Sequence, residues 1–143
     1  MSVVYFTDRD LGLKFPATFR EAGLDVELHR DHFSPTAPDD EWLATVSARG
    51  WVAVTHDARI RYKPNELAAI VRHGARVLVI VGKAPLPALA QSFVRTRQRI
   101  EDFLAKYEPP VVGKVYRASP KELAKDPDGI GRVDLWYPPT RGS

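Results

Sequence analysis

Short apolar runs alternate with amphipathic stretches at close intervals along this chain, and that alternation restricts the fold more than any other feature. Residues 3–6 form a β-rich apolar run, residues 25–29 alternate Val26 and Leu28 with polar neighbours, and residues 51–55 and 76–81 are continuous apolar runs. Between them lie helical patterns. One follows Pro16 and carries Phe15, Phe19, Ala22 and Leu24, with Gly23 as its stop. A second spans 41–49, with Asp39 or Asp40 as its N-cap and Gly50 after it. A third opens at Asn65-Glu66 after Pro64 and closes at Gly74. Strands spaced this closely by helices predict right-handed βαβ units and a parallel sheet, with four core strands visible.

The remainder extends that pattern. Residues 86–107 read as one long helix, because Leu86, Leu89, Phe93, Ile100, Phe103, Leu104 and Tyr107 recur at three- and four-residue spacing. On such a helix Arg95 and Arg99 share a face. Pro109-Pro110 ends it, and two β-like pieces, 111–116 and 133–137, flank a polar segment in which Ser119 caps a short helix at Pro120. The expected division is a domain over residues 1–108 and a C-terminal extension over 109–143, packed on or trailing it.

Sites in open α/β sheets lie beyond the carboxyl ends of the strands. Asp8 and Asp57 each follow an apolar strand directly, and Asp10 trails Asp8 by two. If the two strands are neighbours, Asp8 and Asp57 face each other. Asp39, Asp40 and Glu66 begin helices at the same edge. Carboxylates gathered there raise one another's pKa unless a cation is present, and a hard divalent cation with oxygen ligands removes the conflict. Helix capping is the plainer role for Asp39, Asp40 and Glu66. A salt bridge to Arg9, Arg59 or Arg61 is the plainer one for Asp8 and Asp57.

Charge distribution agrees with such a site. The 143 residues carry 21 Lys plus Arg and 18 Asp plus Glu, a net charge of only +3. By segment, residues 1–54 hold 5 basic and 9 acidic side chains, residues 55–108 hold 10 and 5, and residues 109–143 hold 6 and 4. An acidic first part must therefore pack against a basic second part. The absence of cysteine excludes a disulfide framework, a thiolate zinc site and a thiol nucleophile. The longest apolar run, 77–81, is far short of the roughly 18 residues that span a membrane. No signal peptide pattern opens the chain, so the expected location is the cytoplasm.

Arg9, Arg59, Arg61 and Lys63 flank the strand-end acids and are candidates for phosphate contacts. Arg95, Arg97 and Arg99 add charge farther on, as does Arg132 near Trp136 and Tyr137, a pair that could stack on bases or anchor a terminal strand. His29 and His32 invite a zinc reading that lacks a second ligand pair. His56, beside Asp57, could carry a proton or face away.

Three stretches carry a resemblance to a known family. Tyr5-Phe6-Thr7-Asp8 is followed by a helix entered through proline and by EAGLDVELHRD. DDEWLATVSARGWVAVTHDARI joins an acid-led helix, a glycine, a strand and Thr-x-Asp. Pro64-x-Glu66 and the strand ARVLVIV complete the order. Over about residues 3–105 the chain resembles a PIN-like domain, nearest the VapC-type toxin branch. The resemblance implies a three-layer α/β/α sandwich over a mainly parallel sheet of four to five strands. It implies Mg²⁺ or Mn²⁺ held by acids, RNA as substrate and a cognate antitoxin as partner, and a homodimer is the assembly considered. Residue by residue, Asp8 matches the acid after the first strand and Asp57 the acid of Thr-x-Asp. Asp39, or Asp40 in its place, matches the acid leading the second helix. Glu66 matches the acid after the proline. The chain departs from the pattern where 76–81 ends in Gly82-Lys83, since many nucleolytic relatives carry a further acid in a later helix and the next acids here are Glu101 and Asp102.

The expected activity is therefore metal-dependent ribonuclease action, with Asp8, Asp57 and Asp39 or Asp40 as ligands and Glu66 as an outer ligand or water-orienting group. The alternative is a PIN-like RNA- or protein-binding module with a decayed site, for which the missing acid speaks. A third reading is a phosphotransfer protein, because Asp8-x-Asp10 resembles the nucleophile pair of haloacid-dehalogenase-like phosphatases. A receiver domain would instead want Thr where Gly82 stands.

Overall fold

The computed structural model describes residues 3–56 and 64–139. Six strands form one sheet: β1 (Val4–Thr7), β2 (Asp25–Leu28), β3 (Val52–Thr55), β4 (Arg76–Val81), β5 (Val111–Tyr116) and β6 (Arg132–Tyr137). Their spatial order is β2-β1-β3-β4-β5-β6. All neighbours run parallel except β6, which returns antiparallel to β5. The sheet thus has one more strand than the expected upper count, because both C-terminal β pieces join it. The chain leaves β1 toward β2 and crosses back to β3, so the strand order reverses between β1 and β3. In open sheets that is where a crevice forms at the carboxyl ends.

Helices cover both faces. On one side lie α1 (Lys14–Glu21), α5 (Leu86–Arg95) and α6 (Arg97–Lys106); on the other lie α3 (Asp39–Ala48) and α4 (Pro64–His73). A single turn, α2 (His29–His32), follows β2, and α7 (Pro120–Lys125), between β5 and β6, shares a cavity with α5. Alternation along the strands separates the two cores. Tyr5, Val52, Val54 and Leu78 point to the α1/α5/α6 side, where Phe19 stacks on Phe93 at 4.6 Å. Phe6, Ala53, Val77 and Val79 point to the α3/α4 side, where Phe6 stacks on Trp42 at 5.6 Å. This is a three-layer α/β/α fold. Among the described residues, no helix is long and apolar enough to cross a membrane.

Two local expectations need correction. The expected long helix is broken at Thr96, which is fully buried. Its hydroxyl donates to the Ser92 carbonyl at 2.7 Å and accepts the Gly131 N–H at 3.0 Å. Back-bonding of this kind bends helices, and here the bend lets the C-terminal chain dock. Arg95 and Arg99 therefore lie on different helices. Arg99 donates to the Gly131 carbonyl at 2.6 Å, Arg97 to the Ala22 carbonyl at 3.0 Å, and Arg95 lies 3.3 Å from Asp128. The three cations hold chain segments together. The second correction concerns α3. Pro38 occupies the N-cap position, and Asp39 and Asp40 lie inside the first turn.

Candidate functional site

Asp8 directly follows β1 and Thr55 ends β3, and these strands are direct neighbours. The Asp8 N–H donates to the Val54 carbonyl at 3.1 Å, which ties the two strand ends together. Asp8 then caps a 3-10 turn (Arg9–Leu11), its Oδ1 accepting the Arg9 N–H at 2.7 Å. That turn brings Asp10 back toward β3. Asp10 Oδ2 accepts the His56 N–H at 3.0 Å.

Both carboxylates converge on one hydroxyl. Thr55 Oγ1 lies 3.3 Å from Asp8 Oδ2 and 3.2 Å from Asp10 Oδ2. One hydroxyl hydrogen cannot fully serve two carboxylates. Burial raises the Asp8 carboxyl above its usual range, and the Asp39 charge adds to it. Crowding by the surrounding protein, and then the Asp8 charge, raise Asp10, although that residue keeps an exposed side. The neighbouring cation does not relieve them. Arg9 turns aside, its Nε donating to His29 Nδ1 at 2.9 Å and its Nη2 to the Phe33 carbonyl at 2.7 Å.

The other expected acids are distributed around this pair. Asp39 accepts the Trp42 indole N–H at 2.9 Å, and its charge reaches both Asp8 and His29. Asp40 is exposed and turns to Arg72 and to His73, whose Nε2 lies 3.0 Å away. Those partners hold its carboxyl below the usual range. Glu66 lines a groove of about 370 Å³ together with Asp39, Asp40, Asn65 and Arg72. Asp57, Arg59, Arg61 and Lys63 lie outside the described residues. The Asp39 charge thus bears on Asp8, while Asp40, on the same groove, is engaged by Arg72 and His73. The structure also adds Asp10 and Thr55, which sequence reasoning had not placed in the site; the two-residue spacing of acids after a strand was the available signal.

Remaining candidates find structural partners. His56 sets its ring Nε2 2.9 Å from the Gly82 carbonyl, toward the end of β4. His32 pairs with Glu27 at 3.3 Å, while His29 Nδ1 is occupied by Arg9, so the two histidines are not joint zinc ligands. Trp136 and Tyr137 pack against the α3/α4 core. Arg132 lies over the Tyr116 ring at 4.1 Å.

A hard divalent cation fits the donor set. Among the described residues no three His, Asp or Glu side chains converge as a metal cage. Mg²⁺, however, usually takes only one or two carboxylates and keeps several waters. Two carboxylates that meet at a strand-order reversal, with no Lys or Arg side-chain partner among the described residues, suit that requirement.

Comparison with known proteins agrees with this architecture. A family profile described as a PIN like domain matches residues 3–82, more than half of the chain. The chain belongs to the PIN-like domain family. Neither the curated proteins nor the solved structures contain a match to it.

Proposed function

We propose that this chain is a divalent-metal-dependent endoribonuclease of the VapC type, the toxin of a toxin-antitoxin pair. The observation that carries the reading is the convergence of Asp8 and Asp10 on Thr55 with, among the described residues, no guanidinium or ammonium paired with either carboxylate. Doubly wound sheets host many chemistries, so the site and not the fold argues for this one. Asp8 and Asp10 would hold Mg²⁺ or Mn²⁺, with Asp39 close by and Asp57 following the adjacent strand end. When bound, the metal supplies positive charge to a phosphoryl group and lowers the pKa of water.

The chain's own residues prepare that site. Thr55 and the His56 N–H fix the two carboxylates before any ligand arrives. Preorganised charge of this sort costs no rearrangement during reaction. Glu66 and Asp39 rim the groove beside it and are suited to an outer-ligand or water-orienting role. Arg59, Arg61 and Lys63 follow Asp57 in sequence and would hold flanking phosphates. Arg9 is committed to His29 and Phe33, which leaves it a supporting part.

The test is cleavage of single-stranded RNA by the purified chain with Mg²⁺ or Mn²⁺. Asp8→Asn and Asp57→Asn should each abolish it while the fold persists. Persistence of cleavage in both variants would overturn the reading. Growth arrest on expression, relieved by a co-expressed partner, tests the toxin assignment. A second reading, a binding module with a decayed site, draws on Lys83 standing after β4 where an acid would extend the cluster. RNA binding without Mn²⁺ binding would favour it.

A further inference from the structure

We infer that His29 is a neutral hydrogen-bond donor to a phosphate oxygen of the substrate, set in its tautomer by Arg9. The inference rests on the ribonuclease reading of the Asp8 and Asp10 site. Its foundation is the bond from Arg9 Nε to His29 Nδ1, 2.9 Å long. A guanidinium only donates, so Nδ1 must offer its lone pair and the ring proton must sit on Nε2. With Nδ1 occupied and Nε2 protonated, the ring has no lone pair for a metal. It has one N–H to give, and among the described residues Nε2 has no hydrogen-bond partner.

The position of the ring follows from the sheet. Thr7 pairs with Leu28 across β1 and β2, so Asp8 and His29 are the next residues out at the same carboxyl edge. On its other side the ring meets Trp42 edge to face at 6.1 Å, and the Trp42 indole holds Asp39. His29 therefore stands between Asp8 and Asp39. Phe6 and Phe33 close the box at 5.9 and 5.4 Å, and the residue is only 4% exposed. A hydrogen bond offered from such low-dielectric surroundings is stronger than one in water. A neutral donor also suits a site built to gather cations, where an imidazolium would repel them.

Arg9 is the positioning residue in this arrangement. It also ties the ring to the backbone through the Phe33 carbonyl at 2.7 Å. Both anchors lie beside the turn that carries Asp8 and Asp10.

Two measurements on the full chain test the inference. Long-range ¹H–¹⁵N spectra of the imidazoles should show His29 as a single neutral Nε2–H tautomer at neutral pH. Arg9→Met should release that fixation, and Arg9→Lys should keep most of it. A protonated ring or an Nδ1–H tautomer in the unmodified chain overturns the inference, whatever the activity. For RNA cleavage with Mg²⁺, His29→Phe keeps an aromatic ring in the box and should lower kcat about 100-fold with little change in KM. His29→Gln, which can present an amide N–H near the same place, should recover part of the loss. If Asp8→Asn abolishes cleavage but His29→Phe leaves kcat intact, the nuclease reading stands and this inference falls. If cleavage survives in both Asp8→Asn and Asp57→Asn, the nuclease reading fails and takes the inference with it.

Discussion

The backbone N–H of His56 donates to Asp10 Oδ2 at 3.0 Å, so the turn after β1 is clasped to the end of β3. The clasp holds Asp10 beside Asp8, and the folded chain carries the electrostatic consequence. Both carboxyls are raised, so the folded state binds their protons more tightly than the unfolded chain does. Their contribution to stability is complete below the ordinary carboxyl value of about 3.9 and is lost as pH rises through the raised values. Asp40 is shifted the other way, but it is exposed and its effect is correspondingly small. His29, its pKa lowered mainly by its burial, works in the opposite direction, so the carboxyl pair is isolated in His29→Phe, whose metal-free form should lose stability from weakly acidic to neutral pH. Mg²⁺ or Mn²⁺ should restore it at neutral pH and have less effect in acid. Melting curves followed by circular dichroism, with and without the ion, check both slopes. An ion effect independent of pH would contradict the account.

Neutralising the pair should separate stability from function. Asp8→Asn and Asp10→Asn remove a repulsion, so each should melt at or above the temperature of the metal-free parent. Each should also lose Mn²⁺ binding by calorimetry. A variant that melts lower and binds Mn²⁺ normally would show that the carboxylates are structural.

Asp39 and Asp40 are adjacent in sequence but separate in role. Asp40 is engaged by Arg72 and His73, whereas the Asp39 charge bears on Asp8. Asp40→Asn should leave Mn²⁺ affinity within about twofold, as expected of an exposed ion pair. Asp39→Asn should weaken it several-fold. Isothermal titration of the two variants decides the matter, and the reverse order would reassign the ligand.

Thr55→Val removes the hydroxyl shared by the two carboxylates at nearly unchanged volume. Hydrogen bonds to charged groups are worth about 1.5–3 kcal/mol, so RNA cleavage should fall by roughly tenfold or more. Thr55→Ser should preserve most of it. Equal loss in both variants would point to packing instead of the hydroxyl.

The C-terminal chain should prove integral to the fold. Thr96→Val leaves the buried Gly131 N–H without its acceptor, at a cost of about 1–3 kcal/mol. Gly131→Ala should be worse, because a Cβ there runs into the Tyr116 carbonyl. Urea unfolding of both variants should show lowered midpoints. Midpoints equal to the parent would mean that this region contributes little to stability.

The parts of this structure that were legible in sequence are those governed by local pattern. Apolar runs such as 76–81 and the Gly50 and Gly74 stops mark β4, α3 and α4 because burial period and backbone geometry act within a few residues. The break at Thr96 was not legible, since Thr is tolerated in helices and its partner, Gly131, lies 35 residues away. The Asp10 position was hidden for a similar reason. Its meaning depends on a turn that reverses onto β3 and on a hydroxyl from another strand. Asp39 looked like a cap because helix starts favour aspartate, yet its carboxylate serves the Trp42 indole instead.

The stretch that carries the family likeness ends at residue 82, just past β4. β4 is hydrogen-bonded on its far side to β5, and Phe19 and Tyr5 pack on Phe93; β5 and Phe93 both lie beyond that limit. A fragment cut at the limit would expose a bare strand edge and half of one core, an invitation to aggregate. The segment that matches the family profile is therefore smaller than the unit that packs together. The chain beyond residue 82 supplies β5, α5 and the Phe93 ring that complete the sheet and one core.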